Sequence, residues 1–268
     1  MTGVEEISAR NEALLEWYRD AKRDLPWRDV DDPYLTLVSE TMLQQTQVTR
    51  VIERFERFIE QFPDPESLAS ASVADLLAEW SGLGYNSRAL RLRDAAAIVA
   101  RDGWPTTADG LRSLPGVGPY TAAAIASIAF GEPVAAVDTN LRRVLGRWMG
   151  ESLAGQALEE RAALALGDPA GDWNQALMDL GSSICRPREP RCADCPVVAW
   201  CLDPSVYEAP PPQPAFNGSR RELRGAIVKA STASGSPWDA GRALGREDAE
   251  IASVIEDLRE EGLLSGDG

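Results

Sequence analysis

Residues 114–140, LPGVGPYTAAAIASIAFGEPVAAVDTN, constrain this chain more than any other stretch. A Pro-Gly-Val-Gly bend at 115–118 runs straight into an alanine-rich segment, which leads to a lone acid, Asp138. Gly116 and Gly118 let the backbone turn tightly and come close to another group. Pro119 suits the first position of a helix, where its missing amide hydrogen is no loss. The bend therefore reads as a hairpin before a helix, and the alanine-rich run as a buried helix. Asp138 is followed by Asn140, Arg142 and Arg143 and starts another helix. Exposed amides at a helix start, next to an acid and arginines, suit a phosphate backbone held beside a reaction centre.

The rest of the chain is read as helical too. Apolar spacing predicts helices over 4–22, 33–45, 47–61, 65–70, 73–80, 86–101, 139–149, 155–166 and 172–184, with a short one ending at 111–114. Before residue 220 no segment alternates apolar and polar residues as a strand would, so the fold class is all-α. A second Gly-x-Gly bend, WSGLGY, ends at Tyr85. Prolines 204, 210, 211, 212 and 214 mark 203–217 as a linker or surface strap. The tail, 218–268, reads as a small separate unit of two helices and a short turn or strand.

Composition removes whole classes of chemistry. There is no histidine, which excludes Ser-His-Asp and Cys-His catalysis and imidazole proton shuttling. Lys22 and Lys229 are the only lysines, so acid–base work falls mainly to carboxylates. A net charge of −15 opposes a polyanionic partner unless basic patches are kept local. It fits a solvated shell suited to a high-salt cytoplasm. With no run of eighteen apolar residues and a polar N-terminus, the expectation is a cytoplasmic monomer with no membrane span.

The four cysteines, Cys185, Cys192, Cys195 and Cys201, lie within seventeen positions as C-x6-C-x2-C-x5-C. Disulfides, zinc and an iron–sulfur cluster are the candidates. Zinc sites more often use two Cys-x2-Cys pairs, and only one such pair is present. A single [4Fe–4S] cluster in a proline-stiffened loop fits the spacing better. Arg186, Arg188 and Arg191 put the same loop within reach of phosphate.

LPGVGPYTA (114–122), AVDTN (136–140) and the cysteine spacing together resemble the helix-hairpin-helix DNA glycosylases with a C-terminal iron–sulfur loop, the endonuclease III superfamily. The likeness covers about residues 8–202. LPWR (25–28), DPYLTLVSETMLQQTQV (32–48), WSGLGYNSRA (80–89) and WNQALMDLGSSIC (173–185) resemble its MutY-type adenine DNA glycosylases most. In endonuclease III a catalytic lysine stands where this chain has Tyr120. This chain also differs from the common family forms in having Asn86, Ser87 and Thr139, and its tail is too short for a MutT-like domain.

The resemblance implies two helical subdomains within 1–202, the loop 185–201 holding the [4Fe–4S] cluster, and a substrate of double-stranded DNA containing a mismatched adenine. Glu40 is implied as the general acid that protonates adenine at N7, its apolar neighbours raising its pKa. Asp138, ionised, is implied to stabilise the oxocarbenium-like sugar by charge or by transient attachment, across one cleft from Glu40. Tyr120 and Asn140 would support them by hydrogen bonds. On residue type alone, Tyr120 is equally a core tyrosine, Asn140 a helix cap and Glu40 a surface acid. Gln45 and Tyr85, with Gln44 beside them, match positions that fill the stack when the nucleotide is flipped out. Trp27, Arg28 and Gln175 match residues around the extruded adenine, and Gly116, Val117, Gly118 and Tyr120 would meet phosphate through the hairpin. Other readings are a thymine glycosylase for G·T mispairs, an endonuclease III-like glycosylase/lyase, and a non-catalytic iron–sulfur DNA-binding protein.

Overall fold

In the computed structural model the described residues are 3–207, 209 and 214–264, and every regular element among them is helical. Pro210, Pro211 and Pro212 of the expected linker lie outside the described residues. The chain divides into two compact units, residues 1–37, 104–113 and 117–210 in the first, and 38–103, 114–116 and 211–268 in the second. The division falls inside one helix, α2 (Pro33–Leu43).

The first unit also holds α1 (Gly3–Ala21), α7 (Ala108–Leu111), α8 (Pro119–Ala129), α9 (Thr139–Met149), α10 (Gly155–Ala165) and α11 (Ala170–Ser183). Its centre is α11, which packs against α1, α8 and α9. Trp173, Leu177 and Leu180 of α11 meet Leu14 and Tyr18 of α1 and Leu141, Val144 and Trp148 of α9 in one core. Close approach requires small residues on α11. A Cβ on Gly171 would lie 2.8 Å from the Ser127 carbonyl oxygen, and one on Gly181 would lie 2.6 Å from the Asn140 Cβ. The alanine-rich run is buried from Thr121 to Ser127, as its composition requires. Two 3-10 turns, Cys192–Asp194 and Val198–Trp200, shape the cysteine loop.

The second unit holds α3 (Val48–Gln61), α4 (Pro65–Ala69), α5 (Val73–Trp80) and α6 (Ser87–Asp102). The tail adds α12 (Arg220–Thr232), α13 (Pro237–Ala243) and α14 (Asp248–Glu260). Val51, Phe55 and Phe58 bury one stripe of α3, and Phe58 meets Trp80 of α5 edge-on at 6.1 Å. Short side chains set many helix starts. Asp64, Ser72, Thr107, Ser219 and Ser236 each accept an amide hydrogen from the first turn that follows. The tail differs from the two helices expected of it. Ser236 caps, and Pro237 begins, a third short helix in a segment with too few apolar residues to show a period. Nor does the tail stand apart, because α12 packs against α5 within the second unit. No helix among the described residues is long and apolar enough to cross a membrane.

Candidate active site

The second unit carries Glu40 on α2, in a run where Leu37, Val38, Ser39, Thr41 and Met42 are also buried. At 7% exposure Glu40 is not the surface acid its type suggests. Just beyond it, Gln44 is half-buried and Gln45 exposed. Gln45 (φ 56°) and Tyr85 (φ 47°) are two of five non-glycine residues with left-handed backbone among the described residues. Such a conformation costs a side-chain-bearing residue ~1–2 kcal/mol, so the surroundings must hold it. Arg88 supplies much of that support. Its Nη1 donates to the carbonyls of Thr41 (2.6 Å) and Gln44 (2.7 Å), and its Nη2 to those of Leu83 and Gly84 (both 3.0 Å). The same guanidinium lies 5.3 Å from the Trp80 ring and 5.7 Å from the Tyr85 ring. One buried side chain thus joins the end of α2 to the GLGY bend and underlies both predicted wedge residues. Its burial lowers its pKa to about 10, still high enough to keep it charged at neutral pH.

The hairpin follows α7. Gly116 has φ 78°, and a Cβ there would come within 2.9 Å of the Arg91 Cβ. Leu114 and Val117 are buried, whereas a Cβ on Gly118 would meet nothing within 4 Å. Gly118 therefore answers to no packing demand.

In the first unit Asp138 caps α9, its Oδ1 accepting from the Leu141 amide at 2.6 Å. The cap is Asp138 itself and not Asn140. Asn140 instead donates Nδ2 to Asp138 Oδ2 (2.8 Å) and accepts from Arg143 Nη2 (2.8 Å). Arg143 also donates to the carbonyls of Cys185 (2.8 Å) and Gly181 (2.7 Å). A continuous polar chain therefore runs from the Asp138 carboxylate to the first cysteine of the loop. Asp138 itself is half-buried. Burial pushes its carboxyl pKa up, and the bonds from Leu141 and Asn140 and the charge of Arg143 only partly oppose the rise. Upstream, Asn174 fixes the approach to Asp138. It accepts from the Ala136 amide (2.9 Å) and donates to Val134 O and Ser127 Oγ (both 2.9 Å). The Tyr120 hydroxyl, half-buried, lies 3.7 Å from Met178 Sδ.

Trp27, Arg28 and Gln175 also belong to this unit, and two of them are joined. Arg28 Nη1 donates to the Tyr18 hydroxyl (2.5 Å), which donates to Gln175 Oε1 (3.1 Å). Arg28 Nη2 and Arg23 Nε reach Asp179 Oδ1 at 3.1 and 2.7 Å, and Asp179 is 1% exposed. Trp27 is buried nearby in sequence at 6% exposure.

The four cysteines line one cavity, with Trp148, Leu180, Ile184 and Pro190 around them. Arg147 ties the loop down, donating to Cys185 Sγ (3.1 Å) and to the carbonyls of Arg186, Pro187 and Val206. Burial, reinforced by the other three cysteines, raises the Cys195 thiol to about 11. No three Cys, Asp or Glu side chains among the described residues close in as a single ion's shell would. Thiolates around one zinc sit within ~4 Å of one another, since each Zn–S bond is ~2.3 Å. The four thiols on one cavity wall are the groups that could hold a metal centre.

Comparison with known proteins decides the family. Residues 38–165 match the HhH-GPD superfamily of base excision DNA repair proteins. An adenine DNA glycosylase of Mycobacterium tuberculosis is 39% identical over 253 residues, covering 88% of this chain and 82% of that protein. The human adenine DNA glycosylase is 44% identical over 218 residues, which is 74% of this chain and 40% of the human protein.

The chain belongs to the adenine DNA glycosylase family.

Solved structures agree on the fold. A thermostable thymine-DNA glycosylase superimposes with TM-score 0.69 at 31% identity, covering 74% of this chain and 96% of that one. An endonuclease III trapped on DNA gives 0.64 at 23% identity, covering 76% and 98%. For an adenine DNA glycosylase, the residues that motif reading misses here are Tyr18, Arg88 and Asp179. Tyr18 lies 157 positions from Gln175 and Asp179 lies 151 from Arg28, so no local pattern betrays either partnership. Arg88 and Asp179 do lie inside WSGLGYNSRA and WNQALMDLGSSIC, but nothing in either stretch sets them apart from their neighbours.

Proposed function

We propose that this adenine DNA glycosylase hydrolyses the N-glycosidic bond of adenine mispaired with guanine or 8-oxoguanine in double-stranded DNA, without cutting the strand. The likeness to adenine DNA glycosylases along most of the chain carries this reading. Glu40 gives its proton to adenine N7, the C1′–N9 bond breaks, and the electron pair leaves with a neutral base. Asp138 offsets the positive charge that develops on the sugar. The raised pKa of its carboxyl in the free protein is compatible with this role, because a cation beside it favours the ionised form. Asn140 and Arg143 hold that carboxyl in orientation, and Tyr120 supports the site. Water then adds at C1′ to leave an abasic site.

Gln45 and Tyr85, with Gln44, fill the stack after the nucleotide turns out. Trp27, Arg28 and Gln175 receive the base, Gln175 through its amide. The amides of Gly116, Val117, Gly118 and Tyr120 hold phosphate. Cys185, Cys192, Cys195 and Cys201 hold a [4Fe–4S] cluster, which when bound crosslinks the loop that Arg147 already ties to α9. The protein acts as a monomer.

Excision assays on A·8-oxoguanine, A·G and T·G duplexes test the substrate. Adenine release from the first two is expected; thymine release from T·G with neither adenine substrate cut would replace this reading with that of the thymine-DNA glycosylase neighbour. Borohydride trapping tests the lyase alternative, which needs an amine where this chain has Tyr120. Glu40→Gln is expected to lower single-turnover excision by about 10²–10⁴-fold while mismatch binding stays near the parent's. Retained excision would remove Glu40 from the proton step.

A further inference from the structure

The C-terminal helices have no part in the chemistry above, yet they reach one of its residues. Tyr85 and Asn86 of the GLGY bend and Phe216, Arg221 and Arg224 of the tail line a common cavity. Arg221 donates through Nη1 to the Tyr85 hydroxyl (3.1 Å) and through Nη2 to the Pro214 carbonyl (2.8 Å). The guanidinium is thereby fixed by its own segment and presents its other edge to the tyrosine. Arg224, beside it, is taken by Asp257 and Glu261 of the α14 end.

The support behind Arg221 is firm. It sits in the first turn of α12, capped by Ser219, with Leu223 and Ile227 buried below. α12 packs on α5, whose Trp80 donates Nε1 to the Gly84 carbonyl at 3.1 Å. Tyr85 itself is 43% exposed on a left-handed backbone, with the Arg88 guanidinium on one side of its ring. An exposed ring on a strained bend keeps one orientation only if it is held at more than one point. Arg88 holds the ring, and Arg221 holds the hydroxyl through a charge-assisted bond.

We propose that Arg221 is a positioning residue through which the C-terminal helices hold Tyr85 in the orientation from which its ring enters the base stack at the mispair. The proposal rests on the reading of Tyr85 as a residue that fills the stack.

The test uses the full chain and an A·G duplex with 2-aminopurine next to the mispaired adenine, its fluorescence reporting local unstacking. Arg221→Met keeps the aliphatic stem and removes the donors. Tyr85→Phe removes the same bond from the other side, and so covers the case in which Arg221→Met folds poorly. Each is expected to reduce the fluorescence rise at saturating protein and to weaken mismatch binding by about 3- to 10-fold. The double variant should be no weaker than either single one, Arg221→Lys should recover part of the loss, and thermal midpoints should stay at the parent's. Unchanged binding and fluorescence in Arg221→Met would overturn the proposal. So would additive losses in the double variant, or an equal loss on fully paired duplex, which would make Arg221 an ordinary phosphate contact. Tyr85→Ala separates the two readings. If it loses the signal while Arg221→Met keeps it, only the role of Arg221 falls; if it too keeps the signal, the stack-filling role of Tyr85 falls and the proposal with it.

Discussion

Asp138 serves two ends with one carboxylate, and they compete. As a helix cap it stabilises α9, a contribution of ~1 kcal/mol. As a partly buried charge it costs stability, which is why its pKa is raised. A raised folded-state pKa means the folded form binds the proton more tightly, so this contribution is full at acid pH and is lost as pH rises through that value. Asp138→Asn keeps a capping oxygen and discards the charge. It is expected to cut single-turnover excision by about 10²–10³-fold, to melt no lower than the parent at neutral pH, and to flatten the fall in stability above the ordinary carboxylate range. Melting curves over a pH series would show it; a variant both active and less stable would contradict the assignment. Gly181 illustrates a second contest. In most helices Gly→Ala gains about 1 kcal/mol, but here the new Cβ would lie 2.6 Å from Asn140 Cβ. Overpacking of about 1–3 kcal/mol outweighs the propensity gain, so Gly181→Ala should lower the denaturation midpoint and, by moving Asn140, slow excision as well. A stabilised variant would show that α11 shifts freely.

Among the elements, the cysteine loop depends most on residues outside itself. Arg147 and Arg143, both on α9, bond to the backbone of Cys185 and its neighbours, and Arg143 passes the connection through Asn140 to Asp138. Cys192→Ala should therefore lose the absorbance near 400 nm, about 2 kcal/mol of stability (about 4–8 °C in midpoint), and part of the excision rate. Zinc in place of iron in the parent protein would refute the cluster. Most of the elements were legible. Helices at 73–80 and 139–149 appear with the predicted ends: apolar spacing sets them, Asp138 marks the start of the second, and in the structure Ser72 caps the first. The third tail helix was not, for α13 rests on a cap and a proline over seven residues. The Arg28–Tyr18–Gln175 link was hidden for a different reason: it depends on α1 and α11 meeting, and sequence distance gives no sign of that.

For the whole molecule, the charge of −15 sets the terms. Self-repulsion opposes the compact state and is screened by salt, while DNA affinity falls with salt. The melting midpoint is expected to climb between about 10 mM and about 1 M KCl, and excision to peak between those limits; a midpoint indifferent to KCl would rule out self-repulsion as a significant cost. The division of the chain bears on its synthesis as well. Residues 38–103 interrupt the first unit, and the second is finished only by residues 211–268. On the ribosome α1 must wait for α11, some 150 residues later, and α5 must wait for α12. The first unit can close once residues up to 210 have emerged, whereas the second still waits for 211–268, so nascent chains carry an uncovered apolar face on α5 for longer than on α1. Chaperone demand should therefore track how long the unfinished chain stays tethered, and slow codons late in the message would prolong that exposure without changing a residue.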